Sequence, residues 1–567
     1  MVLGAQTIEE HKQNGDFGKN NSQLFGPSSI ENDHITSSPS PTTMIVDLED
    51  VDSTTNRPHN HRREVTPVYK EVVIVGNGPS AITLSYFLAG NCPYYNGLGE
   101  SVNDMLHCRL VADSKTSPTG NRSLVEQDLT FLAQGLEGRS SNPIALLFDT
   151  LNHPQADTGL ELPSLLDWKH RSEYEIDHVV IGKGPAPGGA WQSMEGDVLT
   201  ISRGCWMELP QINFREWERM QQSRFQRESR ATVASVAQYY CDYVAAHDLQ
   251  KYFRNSSVIT EVTVCQSKSL PEHCDNIPPD LISGDEDEDR NFRRHTISEI
   301  PVGKAIRKRN QNLWTVKGYD KTNNGIQPFT YVTKNLCLAT GTTDLPNILN
   351  VQGENLPFVL HSLNELESLI NSGELSESSD PVMIIGAGLS AADAIIATRF
   401  HSIPVVHCYR RNVDDKNLIF KHLPVNMYPE YHKIYQMMQY PSGYEGYKVF
   451  EQHVVADILP DRRVKLVGPS SCRILRVSAV VVCIGSHPDL SFLGDIQYDI
   501  GIHPGMRIDC KRNPLAINFA THESVRQPGL FGLGPLVGEN FVRYVQGGAL
   551  AVSNHLLKQK KEEVERK

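Results

Sequence analysis

Apolar residues follow the same pattern in two places: a short strand-like run, a glycine-rich turn and a helix-like repeat. The first place comprises the β-branched run 71–75 and the apolar positions of 79–88. The second lies in 382–397, an apolar window of the same design. Unbroken β-branched runs are typical of strands buried on both faces, and apolar recurrence every three or four residues is typical of helices. The pattern therefore predicts two strand–turn–helix units.

Other apolar runs alternate with helical patterns through the rest of the chain, for example with the helical repeat of 233–249. Alternation of strands and helices is the signature of doubly wound parallel sheets. We therefore predict an α/β fold with two Rossmann-like, dinucleotide-binding domains. The remaining predicted buried strands are residues 178–181, 258–264, 336–341, 480–486 and 529–534.

The second domain is predicted to be inserted into the first. Its glycine turn is bracketed by the runs 336–341 and 480–486, which both have the pattern of strands of the first sheet. We assign 346–474 to the second domain. The first domain then comprises 65–345 and 475–567, the latter ending in a charged tail.

A further insertion is predicted inside the first domain. A βα unit normally reaches its second strand within about 30 residues, but the next buried run after the first unit begins at residue 178. Residues 92–170 are therefore predicted to be an insertion with helical segments such as 124–136. It either caps a pocket or covers the surface.

Two segments are predicted to lie outside packed structure. Residues 1–64 are polar, with Ser-Pro steps at Ser38 and Ser40, and bury too little apolar surface to offset the entropy of ordering. The linker 266–310 carries the acidic run 285–289 followed by basic residues, a pattern typical of a solvated loop. Docking of a protein partner through the tail or this acidic loop is the alternative.

Composition and charge argue against several classes of function. A formal net charge of −13 without a basic stripe argues against nucleic acid as a partner. None of the 11 cysteines forms a C-x-x-C pair and no Gly-x-Ser-x-Gly elbow occurs, which disfavours a disulfide reductase and a hydrolase. His361, His407 and His487 have no ligand spacing with acids or cysteines, so no metal site is predicted.

The N-terminal residues and the most apolar window bear on location. The chain turns polar directly after residues 1–5, without an apolar signal core. The window 382–397 contains Asp393 and is too short to cross a bilayer. We therefore expect a cytoplasmic protein with no membrane span.

Each glycine-rich turn has the residue types that a dinucleotide requires. In the first turn, Gly76 makes the bend, Gly78 lets the backbone approach a pyrophosphate, and Ala81 lets the helix lie close to the strand. The helix N-termini behind both turns offer free N–H groups to an anion. The corresponding residues of the second turn are Gly386, Gly388 and Ala391, and the further cofactor-binding candidates of the two turns are Pro79, Ser80 and Ser390.

The order of the motifs resembles that of flavin-containing and N-hydroxylating monooxygenases: glycine turn, Gly-Gly-x-Trp, Ala-Thr-Gly, second glycine turn, closing strand and Gly-Gly helix. The stretches 73–86, 188–209 and 531–556 are similar to the oxidative stress-induced growth inhibitor family, and the long insertion and the acidic linker resemble its second member more than its first. The resemblance covers about 65–567 and implies FAD at the first turn and NADPH at the second. It adds the candidates Gly188, Gly189, Trp191, Gly534, Gly547 and Gly548.

The resemblance also implies an activity. NADPH would reduce FAD, the reduced flavin would take up O₂ as a C4a-hydroperoxide, and one oxygen would pass to a soft nucleophile on a small molecule or a protein side chain. No catalytic acid–base pair is assigned, because the cofactor carries the chemistry. The family further implies a role in cell growth, division or germ-cell maturation.

Four residues near the expected cofactors need a structural interpretation. Trp191 either packs beside the flavin or belongs to the core. The closing helix is expected to open at Gly547 and Gly548, where its dipole would favour negative charge on a reduced flavin. Asp393 is expected at the opening of the helix after the second turn, as a structural cap.

Two arginines indicate which nicotinamide cofactor the second turn prefers. The run 405–409 ends in Arg410 and Arg411, where an NAD site would hold an acidic residue. Arginines at this place favour a 2′-phosphate through charge and forked hydrogen bonds, so NADPH is predicted over NADH. The alternative is that both arginines simply end a strand at the surface.

Two positions depart from the monooxygenase pattern. In that pattern a glutamate holds the adenosine ribose, but the corresponding residue of this chain is Gly182. Either backbone groups, Lys183 or a carboxylate of the insertion replace the glutamate, or FAD binds loosely or not at all. Leu389 stands where asparagine often follows the second glycine, which favours an NADPH oxidase that releases H₂O₂. The alternative to an enzyme is a regulatory scaffold that keeps the flavoprotein fold without tightly bound flavin.

Overall fold

The computed structural model describes residues 65–97, 103–116, 122–194, 198–221, 230–266, 274–278 and 312–566. The tail 1–64 with its Ser-Pro steps lies outside the described residues, as does the acidic run 285–289. The predictions of partner docking that rest on them stay predictions.

A parallel sheet forms the centre of the first domain. Its strands are buried on both faces, as the unbroken apolar runs predict. Val72 and Ile74 of the first strand enter one core cluster, whereas Val73 and Val75 enter another on the opposite face. The strands lie in the order β7 (Phe253–Arg254), β4 (His178–Ile181), β1 (Val68–Val75), β10 (Gly325–Leu338) and β21 (Leu530–Gly532), with all neighbours parallel.

An antiparallel extension is attached to this sheet through β10. The first half of β10 pairs with β9 (Asn312–Thr322), and β9 pairs with β8 (Ser257–Gln266). The second half of β10 is free of β9 and pairs with β21 instead. Because β10 is long, this one strand belongs both to the parallel sheet and to its antiparallel extension.

The insertion predicted at 92–170 packs on the first domain instead of standing apart from it. Its helices share a core with α1 (Pro79–Leu88) and the long C-terminal α10 (Val542–Arg566). The predicted helical segment 124–136 contains only a single 3₁₀ turn and one short helix. The elements of the insertion are β2 (Asn91–Tyr95), α2 (Asp104–Thr116), α3 (Leu129–Leu132), α4 (Pro143–Asn152) and β3 (Leu166–His170), with β2 and β3 antiparallel.

The segment between β4 and β7 forms a small aromatic-rich layer. The strands β5 (Leu199–Arg203) and β6 (Arg230–Thr232) pair antiparallel, and α5 (Phe214–Met220) lies between them in sequence. The helix predicted at 233–249 is α6 (Val233–Ala246), which buries Tyr239, Tyr240 and Tyr243 as its spacing predicts.

The second domain is built on a second parallel sheet. Three helices cover it: α7 (Leu363–Asn371), α8 (Leu389–Phe400) and α9 (Pro429–Gln439). A three-stranded antiparallel sheet of β16 (Val454–Ile458), β17 (Arg463–Val467) and β18 (Cys472–Arg476) is attached to it. The parallel strands lie in the order β12 (Val359–Leu360), β19 (Ala479–Val482), β13 (Val382–Ile385), β14 (Val405–Tyr409) and β15 (Tyr447–Glu451).

The chain enters and leaves the second domain through one strand pair. β11 (Leu345–Pro346) and β20 (Ser486–His487) are antiparallel neighbours, and the second sheet lies between them in sequence. The α/β fold with one Rossmann-like domain inserted into another is thus confirmed. The predicted boundary after residue 474 is wrong, because β19 pairs with β13 and belongs to the second sheet. A short apolar run does not reveal which sheet it joins.

Within the part of the chain that the structure describes, no helix is both long and apolar enough to cross a membrane. The same residues contain no group of three or more histidine, cysteine, aspartate or glutamate side chains arranged to hold a metal ion.

Candidate functional site

The first glycine turn connects β1 to α1 at the carboxyl edge of the parallel sheet. Gly76 has a φ of +111°, and a Cβ atom placed on it would overlap the carbonyl oxygen of Ala339, directly after β10. Only glycine combines this backbone conformation with such a close approach of two strand ends. The turn therefore lies at the edge where open α/β sheets bind their ligands.

The helix behind this turn begins without a side-chain cap. Gly78 is the N-cap of α1 and Pro79 its first residue, which leaves the N–H groups of Ser80 and Ala81 without a partner among the described residues. Free N–H groups at a helix start carry partial positive charge and bind anions. By contrast, side chains cap α3, α4, α5, α6 and α7, through Asp128, Asn142, Asn213, Thr232 and Ser362.

Two further predicted glycine segments close on this helix start. A Cβ atom on Gly189 would lie 2.9 Å from Cα of Gly78, and one on Gly534 would lie 2.5 Å from Oγ of Ser80. The N–H of Gly188 donates to the carbonyl oxygen of Asn77, which lies between the two glycines of the first turn, at 2.8 Å. The structure therefore brings residues from three distant motifs together around one helix N-terminus.

A buried hydroxyl beside the first turn lacks a hydrogen-bond partner. Oγ1 of Thr340, in the Ala-Thr-Gly motif, is buried without a partner within the described ranges. The backbone nitrogen of Thr340 would lie 3.1 Å from a Cβ atom on Gly76. Because buried polar atoms are normally paired, this hydroxyl is a candidate contact for a bound group.

The second glycine turn repeats the geometry of the first at the second sheet. Gly386 has a φ of +128°, and a Cβ atom there would overlap the carbonyl oxygen of Cys483, directly after β19. Gly388 is the uncapped N-cap of α8. Apart from its chain neighbours and the backbone of its own helix, no atom of the described residues lies within 4 Å of a Cβ atom placed on it. Ala391 is buried in the second core, whereas Ser390 is exposed.

A buried histidine supports the second turn. Nε2 of His407 donates to the carbonyl oxygen of Gly386 at 2.6 Å, and Nδ1 accepts from the hydroxyl of Tyr447 at 2.8 Å. Burial lowers the pKa of His407 to about 4, although its bond to Gly386 opposes the shift. The ring is therefore neutral and holds the turn. The sequence offered one signal for this role, a single polar residue inside an apolar strand.

The two arginines after β14 differ in what they contact. Both are exposed. Arg411 donates to the carbonyl oxygen of Asn417 at 2.9 Å and lies 3.8 Å from Asp415. Arg410 makes no hydrogen bond or ion pair with any residue that the structure describes. Arg410 is therefore the arginine whose guanidinium is available to a ligand at this edge.

Trp191 is placed against protein. It is half-buried and packs on the aromatic cluster around Tyr86 and Tyr240, which supports the interpretation of Trp191 as a core residue. The backbone N–H of Trp191 donates to the carbonyl oxygen of Gly188 at 3.4 Å. This hydrogen bond closes the 3₁₀ turn at the glycine pair.

The glycine pair of the closing helix also packs against protein. α10 begins at Val542, so the prediction that Gly547 and Gly548 open this helix is wrong. A Cβ atom on Gly547 would overlap Ala145 of α4, and one on Gly548 would lie 2.7 Å from His522. Their small size lets the inserted α4 lie close to α10. A small-residue pair in sequence does not separate a helix start from a helix crossing.

A buried ionic cluster near the start of α10 was not predicted from the sequence. Arg543 binds Asp149 through two hydrogen bonds of 2.5 Å and Asp157 through one of 2.9 Å. His153 lies 3.2 Å from both Asp149 and Glu208. Burial disfavours the charged imidazole, but these two carboxylates overcome it and raise the pKa of His153 to about 9. The cluster fastens the insertion to α10.

Asp393 does not open its helix, contrary to the prediction. It lies one turn inside α8 and accepts a hydrogen bond of 3.0 Å from the hydroxyl of Tyr431. Burial raises its pKa to about 6. Asp393 lines a cavity of about 860 Å³ together with Arg230, but no residue of either glycine turn lines this cavity.

The chain is similar to proteins named oxidative stress-induced growth inhibitors. It is 43% identical over 499 residues to inhibitor 2 of Homo sapiens, an alignment that covers 86% of this chain and 94% of that protein. It is 41% identical over 493 residues to inhibitor 1 of Homo sapiens, covering 86% and 95%. The homolog osgn-1 of Caenorhabditis elegans is 25% identical over 506 residues, covering 86% and 94%.

Two wider comparisons concern the fold. The family model for pyridine nucleotide-disulphide oxidoreductases matches residues 308–531. The bacillithiol disulfide reductase Bdr (YpdA) from Bacillus cereus has a similar structure, with a TM-score of 0.50 and 14% sequence identity. That alignment covers 87% of this chain and 99% of the reductase.

Proposed function

The chain belongs to the oxidative stress-induced growth inhibitor family, and we propose that it is a flavoprotein monooxygenase with FAD at the first glycine turn and NADPH at the second. The observation that carries the proposal is a pair of uncapped helix N-termini, at Gly78 and Gly388, each behind a glycine turn at the carboxyl edge of its own parallel sheet. Two such edges in one chain suit two dinucleotides whose reactive ends meet.

We assign FAD to the first turn because glycine segments enclose that turn. Gly189 and Gly534 approach the start of α1, and the unpaired hydroxyl of Thr340 lies beside it. An enclosed site suits a cofactor that stays bound between turnovers. When bound, FAD would supply the redox chemistry by accepting a hydride and reacting with O₂. The free N–H groups of Ser80 and Ala81 would hold the pyrophosphate.

We assign NADPH to the second turn because this turn is open and ends near a free guanidinium. Space beside Gly388 is unfilled, and Arg410 has no partner among the described residues. An arginine at the end of the second strand of a Rossmann unit pairs with a 2′-phosphate. His407 keeps Gly386 in the conformation that leaves the backbone exposed to a phosphate.

The cysteines do not favour the dithiol chemistry that the name of the matched family model suggests. All 11 cysteines are free, and burial raises the thiol pKa of Cys92, Cys205, Cys408 and Cys483 to about 12. A redox-active cysteine needs a lowered pKa and a nearby partner thiol. Transfer of oxygen or of electrons to O₂ therefore fits these residues better than disulfide reduction.

The proposed oxygen acceptor is a nitrogen or sulfur centre on a small molecule or a protein side chain. The names of the relatives point to a role in growth control, and we propose a regulatory oxidation in that setting. Leu389 packs on the second core and has no group that could donate to NADP⁺. We therefore propose that part of the reducing power is released as H₂O₂.

One observation favours a second candidate function, a scaffold without tightly bound flavin. Gly182 stands where the family pattern has a ribose-binding acid, and Lys183 is engaged in an ion pair with Asp344. A flavin-free scaffold would keep the fold and its surfaces without turnover. The two candidates differ in whether the purified protein retains FAD.

An absorbance spectrum of the purified full-length protein tests both candidates. For the enzyme we expect flavin bands that bleach on addition of NADPH and return in air, with H₂O₂ measured in parallel. A colourless protein that takes up no added FAD would refute the enzyme and support the scaffold. Flavin that NADPH cannot reduce would refute the assignment of the second turn alone.

A further inference from the structure

A side-chain amide lies where dinucleotide sites commonly hold a carboxylate. In a Rossmann unit, an acidic residue at the end of the second strand binds the ribose hydroxyls. Here that strand is β4, and Gly182 follows it directly. A Cβ atom on Gly182 would overlap the side-chain amide of Asn77, from the first glycine turn. The acid is therefore absent because its place is already filled.

Hydrogen bonds fix the orientation of the Asn77 amide. Asn77 is only 3% exposed, and its Nδ2 donates to the carbonyl oxygen of Ala186 at 2.9 Å and to Oδ1 of Asn255 at 2.8 Å. A carbonyl oxygen can only accept, so the atom facing Ala186 is the nitrogen. Both Nδ2 hydrogens are used, and Oδ1 accepts no hydrogen bond from any described residue.

Asn255 completes a pair of amides with complementary free groups. It follows β7, the outer neighbour of β4, and is half-buried. Its Oδ1 accepts from Asn77, which leaves its Nδ2 as a donor without a partner among the described residues. The pair thus has one free acceptor, on Asn77, and one free donor, on Asn255. Two neighbouring hydroxyls match this set, because each hydroxyl both donates and accepts.

The charged group nearest to this place in sequence is engaged elsewhere. Lys183 forms an ion pair with Asp344, beyond the end of β10, and its side chain is mostly exposed. Lys183 therefore does not replace the missing acid.

We propose that the Asn77–Asn255 amide pair binds the ribose diol of the FAD adenosine in place of a carboxylate. This inference rests on the proposed function, since it assumes FAD at the first turn. The pair is neutral, so it adds no negative charge beside the pyrophosphate. It also explains Gly182, because the amide of Asn77 and a side chain after β4 exclude each other.

The test compares the affinities of the flavin-free full-length protein for FAD and for an FAD analogue that carries 2′,3′-dideoxyadenosine. Wild type should bind FAD about ten- to a hundredfold more tightly than the analogue, as expected for two lost hydrogen bonds. The variant Asn255→Leu is similar in size to the native residue but has no hydrogen-bonding group in its side chain. It should lose about three- to tenfold in FAD affinity with little change for the analogue.

A double variant provides the second arm. Gly182→Glu alone should abolish FAD binding by overlap with Asn77, and circular dichroism shows whether it folds. Asn77→Gly should weaken FAD about tenfold. Asn77→Gly with Gly182→Glu should recover most of that loss, because the Cβ atom of Asn77, which would lie 2.5 Å from one on Gly182, is then removed together with the amide.

The outcomes separate the two levels of the proposal. Absence of FAD binding in wild type would refute the proposed function. FAD binding with equal affinity for the dideoxy analogue would refute the amide pair alone. An Asn255→Leu variant that binds FAD and the analogue with equally reduced affinity would show that Asn255 only holds Asn77 in place, and would also refute the amide pair.

Discussion

The two glycine turns have the same backbone geometry but different surroundings. Gly76 and Gly386 each have a positive φ and each lie against the carbonyl oxygen that follows a neighbouring parallel strand. At the first turn, glycine segments from three motifs enclose the helix start. At the second, no atom of the described residues fills the space beside Gly388, and Arg410, which has no partner among those residues, lies at the same sheet edge. A shared local design therefore supports one enclosed site and one open site.

This difference matches the different demands on the two cofactors that we propose. A flavin that is reduced and reoxidised in place can be bound tightly in an enclosed site, because it does not need to dissociate between turnovers. A nicotinamide nucleotide must enter and leave in every cycle, which an open turn allows. The polar support also differs: a hydrogen-bonded amide, Asn77, lies at the first turn, and a neutral imidazole, His407, lies below the second.

The largest expected effect comes from the paired variants Gly76→Ala and Gly386→Ala. Each new Cβ atom overlaps a carbonyl oxygen, and strain of about 1–3 kcal/mol is expected in both. Gly76→Ala should lose its flavin, whereas Gly386→Ala should retain flavin that NADPH no longer reduces. Flavin absorbance of the purified variants and anaerobic reduction by NADPH measure the two effects.

The matched strain in these two variants is the internal control. A similar loss of melting temperature in both means that stability does not explain a difference in flavin content. If Gly76→Ala retained its flavin, FAD would bind elsewhere, and the assignment of the enclosed turn to FAD would be wrong.

The next effect concerns Arg410, the arginine without a partner among the described residues. Arg410→Ala should lower kcat/KM for NADPH about ten- to a hundredfold and leave NADH unchanged, since a hydrogen bond between charged groups contributes about 1.5–3 kcal/mol. Arg411→Ala is the matched control and should cost less, because its guanidinium is already bonded to Asn417. Stopped-flow flavin reduction with both nucleotides gives these values. Equal losses for NADPH and NADH would contradict recognition of the 2′-phosphate.

A smaller effect is expected below the second turn. His407→Phe leaves the Gly386 carbonyl and the Tyr447 hydroxyl unpaired, and should weaken NADPH about tenfold without changing FAD content. Nucleotide titration monitored by flavin fluorescence measures this change. An equal loss of FAD would show that the variant disturbs the whole protein and not the second turn.

The pKa of His407 adds a pH dependence to this variant. Burial lowers it to about 4, below the value of about 6.5 in an unfolded chain. The stabilisation from neutral His407 is therefore complete above pH 6.5 and is lost as the pH falls from there toward 4. Urea unfolding at pH 7 and pH 5 should show a smaller acid loss in His407→Phe than in wild type.

The smallest effect on the cofactors is expected at the ionic cluster of the insertion. His153 has a raised pKa of about 9, so its stabilisation is complete below about 6.5 and is lost as the pH rises through 9. His153→Gln should lower the free energy of unfolding by about 1–3 kcal/mol at pH 7 and by much less at pH 10. Urea unfolding at the two pH values measures this. A difference that does not depend on pH would show that His153 is not charged in the folded protein.

Local features of the fold could be predicted from the sequence because each depends on neighbouring residues. The unbroken runs before Gly76 and Gly386 gave both central strands, and the spacing of the tyrosines gave α6. Both turns could be predicted because glycine has no side chain and tolerates a positive φ. Where a pattern was short, it misled: residues 480–486 were placed in the wrong sheet, and Gly547 at the wrong end of a helix.

The sequence by itself determined the two strand–turn–helix units, because periodicity and glycine steric freedom act over a few residues. The proposed cofactors follow from the resemblance of the motif order to a known family. Only the tertiary structure decided which distant groups meet. It paired Asn77 with Asn255, set His407 beneath Gly386 and joined Arg543 to Asp149. Such contacts depend on strand order and helix packing, which bring residues 21 to 394 positions apart in the chain within hydrogen-bond distance. No local pattern encodes that order.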